Sequence, residues 1–93
     1  MSFTGPGAAT NAMVAATVSS VTLFNAATGI FGRNIYNSST AVCYVTFGTV
    51  SSTTAYTTQI AATTNYSFPV PTYSGPVTAI WAATNGSAAT SQW

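Results

Sequence analysis

The 93-residue chain contains no aspartate, glutamate, lysine or histidine, and its only charged side chain is Arg33. General acid–base and metal-assisted catalysis need a titratable acid, base or ligand in a pocket, and no carboxylate or imidazole exists here to supply one. Ser and Thr hydroxyls are plentiful but have no base to activate them. The chain therefore reads as non-enzymatic, with no cofactor and no metal. A nucleic-acid surface needs clustered Lys and Arg, so no nucleic-acid partner is expected. The phosphate-cradling pattern G-x-x-x-x-G-K is missing together with its lysine. A near-zero net charge also removes the repulsion that keeps surfaces apart, which favours association.

Cysteine is almost as scarce. Cys43 is the only one, so no internal disulfide can form. It lies in the apolar run Ala41–Val45 and reads as a small buried hydrophobe; a reactive thiolate would need a cation beside it, for which Arg33 is the sole candidate. Leu23 is the only leucine, and with Glu and Lys also missing the usual helix formers are nearly gone. No apolar run approaches the ~18 residues of a membrane helix. The opening Met1–Gly7 lacks the basic stretch of a secretory signal. Cytoplasmic synthesis without export, and no membrane partner, are the expectations.

What remains is β-forming. Eighteen Thr, eight Val and four Ile make up 30 of the 93 residues, and ten Tyr and Phe join them. These side chains suit a pleated, half-buried surface. With 47% apolar residues, the composition argues for a folded domain rather than a disordered chain.

Residues 1–16, with Gly5, Pro6 and Gly7, show no clean period and read as an extended N-terminal arm with a short helical turn around Asn11 to Ala16. Residues 17–93 read as one β domain. Strands are expected at Val21–Phe24, Gly32–Asn37, Ala41–Phe47, Tyr56–Ile60, Asn65–Val70, Val77–Ala83 and Ser87–Trp93. Within the third, Cys43, Val45 and Phe47 share one face and Val42, Tyr44 and Thr46 the other, which points to a central strand or an oligomer contact. Pro69 and Pro71 cannot donate to a ladder, so their strand should lie on an edge or end there. Asn85-Gly86 is the strongest hairpin signal. About seven short antiparallel strands with frequent turns imply a small β-sandwich, jelly-roll or Ig-like, or a barrel.

From about Thr17 onward the order of motifs is moderately specific. It runs Arg33-Asn34-Ile35-Tyr36-Asn37, Ser39-Thr40-Ala41-Val42-Cys43-Tyr44-Val45, the Ser/Thr segment Ser52 to Gln59, Tyr66 to Gly75, and Ile80-Trp81-Ala82-Ala83 through Gly86-Ser87-Ala88. In this the chain resembles small structural proteins of tailed bacteriophages, of the capsid decoration (cement) type. It departs from them in charge: where relatives carry Lys, Arg or Glu on exposed strands, this chain has residues such as Thr46 and Gln92. The resemblance implies a virion protein on the capsid surface that binds the major capsid protein as a homo-oligomer, a trimer being favoured. A head–tail or tail-surface component, or a β-sandwich module binding a host glycan through Tyr66, Pro71 and Tyr73, are the alternatives.

The candidate intersubunit or capsid contacts are Phe3 and Met13 in the arm, the lone cation Arg33, Tyr73, and the terminal aromatic Trp93. Trp81, mid-strand among small residues, reads as core.

Overall fold

The computed structural model describes residues 9–93 and contains eight strands. They are β1 (Thr10–Ala15), β2 (Val21–Phe24), β3 (Arg33–Ser38), β4 (Cys43–Thr46), β5 (Thr58–Ile60), β6 (Thr64–Ser67), β7 (Val77–Trp81) and β8 (Ser87–Gln92). Among the described residues there is no helix. Two four-stranded antiparallel sheets form, one in the order β1-β8-β3-β6 and the other β2-β7-β4-β5. This strand order is that of the eight-stranded jelly roll, so the expected sandwich is present in its jelly-roll form.

Strands β2 to β8 fall where the alternation placed them. β4 is central, between β7 and β5, and β6 is an edge strand that stops before Pro69. The inward positions of β3 are Arg33, Ile35 and Asn37, and the outward ones Asn34, Tyr36 and Ser38. Cys43, Val45, Ile60, Val77, Ala79 and Trp81 close the core from the second sheet. An aromatic stack of Tyr73, Phe47 and Phe68, at centroid separations of 4.8 and 4.9 Å, seals one end, and Phe24 meets Phe68 edge-on at 5.7 Å.

Two expectations need correction. Residues 10–15, read as arm and partly as a helical turn, form strand β1, paired with β8 from Thr10↔Gln92 to Ala15↔Ser87. Its side chains are nearly all exposed, so no hydrophobic alternation betrays it; the ladder to β8 and the Ala16 N–H bond to Gly86 O (3.0 Å) hold it in place. Asn85-Gly86 is not a two-residue hairpin, because β7 and β8 belong to opposite sheets. Gly86 does take the left-handed φ of +82° that the motif suggests, but it steers the chain across the sandwich. A Cβ there would also lie 2.5 Å from Ser38 O, so glycine is required twice over.

Candidate interaction surface

Arg33 starts β3 on the inward side, and its position in the alternation drives the guanidinium into the molecule, where it is 1% exposed. Its fork is fully engaged by its own chain. Nε donates to Gln92 Oε1 (3.0 Å), Nη1 to Tyr73 O (2.8 Å) and Gly75 O (2.7 Å), and Nη2 to Asn25 O (2.8 Å). The guanidinium also sits 4.8 Å from the centre of the Phe24 ring. Burial pulls its pKa down from the usual arginine value, and Tyr73 opposes the shift. Arg33 is therefore not a contact offered to a neighbour: it ties β3 to β8, to the loop after β2 and to the Tyr73–Gly75 loop.

Tyr73 is half-buried, with its ring stacked on Phe47 and its carbonyl held by Arg33. Tyr66 packs against Phe68 at 5.5 Å. Both rings that could have formed a glycan platform are thus turned to their own core. Trp93 extends the β3–β8 ladder through reciprocal 3.1 Å bonds with Gly32, and its indole lies so close that a Cβ on Gly32 would be 2.5 Å away. It docks on its own sheet and still leaves 40% of its surface exposed. Met13 projects from β1 at 64% exposure. Phe3 lies outside the described residues.

Cys43 is fully buried, and desolvation pushes its thiol from 9.0 up to about 12, so it stays protonated. Trp81 is core, as its surroundings suggested. Its indole N–H donates to Asn37 Oδ1 (3.0 Å), while Asn37 Nδ2 donates to Ala41 O (2.8 Å), Ile60 O (3.0 Å) and Ala61 O (3.2 Å). This buried clamp between the sheets was missed from sequence, although Asn37 continues the inward phase of Arg33 and Ile35. An amide at such a position must bring its own partners.

The two outer faces differ. Across the second sheet, the segment joining β4 and β5 folds back: Ser51 Oγ donates to Thr78 Oγ1 (2.9 Å), Thr78 Oγ1 donates to Gly48 O (3.1 Å), and Tyr56 rests on Tyr44 at 5.0 Å. Among the described residues the first sheet has no such cover. Its register places Asn11, Ser91, Asn34 and Ser67 in one cross-strand row, and Met13, Ala89, Tyr36 and Asn65 in the next. Hydrogen bonds tie the polar row together, with Ser91 Oγ donating to Asn11 Oδ1 (2.6 Å) and Ser67 Oγ donating to Asn34 Oδ1 (2.9 Å). A shallow groove over Ala89, walled by Met13 and Asn11, runs beside it. The result is a flat, uncharged face of amides, hydroxyls and a few apolar side chains.

No family model, curated protein or solved structure matches the chain, so its functional reading rests on fold and surface chemistry.

Proposed function

We propose that this chain is a non-enzymatic structural protein of a tailed-phage virion, which coats the outer capsid surface as a homo-oligomer and stabilises the head through contacts with the major capsid protein. The observation that carries the reading is an eight-stranded jelly roll whose uncovered sheet bears no charge. Jelly rolls recur in viral capsid domains, but a fold hosts many functions, and the surface chemistry adds the weight. A flat neutral face of Asn, Ser, Ala, Met and Tyr suits close packing against a protein surface, where desolvated charges would oppose contact. With no acid or base at hand, the work is mechanical.

The test is binding of the purified chain to empty phage heads. A fixed copy number per head, together with a raised melting temperature of the head, is the expected result. Labelling confined to the tail overturns it in favour of a head–tail or tail-surface position.

A further inference from the structure

Sheet edges invite pairing with other chains, and folded proteins usually guard them with prolines, charges, bulges or short strands. Three of the four edges here are guarded. β6 runs straight toward Pro69 and Pro71, β2 is bulged between Thr22 and Phe24, and β5 is only three residues long. β1 has six residues with a regular register to β8 and no proline, charge or bulge. Among the described residues no strand pairs with its outer edge.

The ladder fixes which backbone groups are free. Ala16 N–H bonds Gly86 O, so by antiparallel alternation Val14, Ala12 and Thr10 also turn their backbone groups toward β8. Asn11, Met13 and Ala15 therefore present theirs to the open side. These same residues project their side chains onto the bare outer face.

We propose that this edge pairs antiparallel with the edge of a second copy, across a two-fold axis at Met13. In that register Asn11 faces Ala15, Ala12 faces Val14 and Met13 faces itself. All three edge-facing residues of both copies exchange N–H and C=O bonds, and outward side chains meet only outward ones. The pairing brings no like charges together, because the chain's single charge, on Arg33, is buried. The two sheets merge into one of eight strands, with a continuous uncharged face. Such an isologous contact closes at two copies, in place of the trimer expected from sequence. The inference concerns the chain alone and stands or falls separately from its place in a virion.

Sedimentation of the purified chain tests it. The expected result is a two-chain species that becomes monomeric in Met13→Pro and in Met13→Lys. The proline removes an edge donor without touching the β1–β8 ladder, and the lysine sets two ammonium groups opposite each other. Val50→Lys, on the exposed part of the β4–β5 segment, should remain a dimer. If Met13→Pro does not fold, Met13→Lys decides. Met13→Cys should oxidise to a disulfide-linked dimer, since a hydrogen-bonded antiparallel pair holds its Cα atoms about 5.5 Å apart, within disulfide range. A wild-type chain that stays monomeric, forms a trimer, or pairs only with a strand of a head protein overturns the proposal. So does a dimer that survives both Met13→Lys and Met13→Pro.

Discussion

Replacing Arg33 by methionine tests whether the single charge is a tie within the molecule. Methionine keeps much of the aliphatic stem and removes every donor. Four acceptors then lose their partner: the carbonyls of Asn25, Tyr73 and Gly75, and Gln92 Oε1. At roughly 1 kcal/mol each, the low end for orphaned acceptors because these sites are only partly buried, the loss is about 4 kcal/mol. Losing the Phe24 contact adds about 0.5–1 kcal/mol, which the better desolvation of methionine offsets in part. An unfolding entropy of roughly 0.2 kcal/mol/K for a chain of this length converts 4 kcal/mol into a drop of roughly 20 °C in melting temperature. Arg33→Lys should fall between, since one ammonium cannot span four acceptors on separate segments. Thermal unfolding followed by circular dichroism, with a urea titration in parallel, measures both. An Arg33→Met protein that melts within about 3 °C of the wild type refutes the reasoning. Unchanged melting with loss of the dimer would show that Arg33 serves a neighbour instead.

Asn37→Asp places a carboxylate against the carbonyls of Ala41, Ile60 and Ala61 and should destabilise the fold by about 3 kcal/mol or more at neutral pH. The unfavourable surroundings raise the pKa of the new carboxyl in the folded state, so the defect should shrink as pH falls from neutral toward about 4, the unfolded-state value, in melts run at the two ends of that range. Cys43 contributes to the alkaline limb. Its thiol rises from 9.0 to about 12 on folding, so its contribution is intact below pH 9 and is lost as pH climbs toward 12. The wild type should lose roughly 4 kcal/mol more than Cys43→Ala across that window, read from urea midpoints, and parallel curves would contradict the burial argument.

Much of the fold was legible because it rests on period-two patterning. The alternation put Cys43, Val45 and Phe47 on one face, which the structure turns inward, and the prolines at 69 and 71 called for a strand that lies on an edge or ends there, as β6 does. Strand β1 was not legible, because Thr10–Ala15 buries almost nothing and owes its shape to a strand some eighty residues away in sequence. The Asn85-Gly86 motif gave the correct backbone conformation and the wrong connection, since a local turn signal carries no information about which sheet receives the next strand. Arg33 stood out as the sole charge, yet three of its four close partners are backbone carbonyls, which leave no trace in residue identity. Of the expected contact residues, Met13 is freely exposed and Trp93 partly so, while Arg33 and Tyr73 face their own core. The uncovered first sheet became visible only once the β4–β5 segment was seen to lie across the other.

The pairing of β1 with β8 also governs how the domain bears load. Thr10 and Gln92 are opposite each other at the same end of an antiparallel ladder. Tension applied through the two ends of the chain therefore acts across the strands and peels the rungs one after another, rather than shearing them all together. Trp93 is pinned to Gly32, so β1 is the strand that lifts, and the zipper runs from Thr10 to the bond between Ala16 and Gly86. In the capsid role proposed above, a swelling shell would be resisted poorly by a subunit gripped at its ends and far better by one gripped across its sheet.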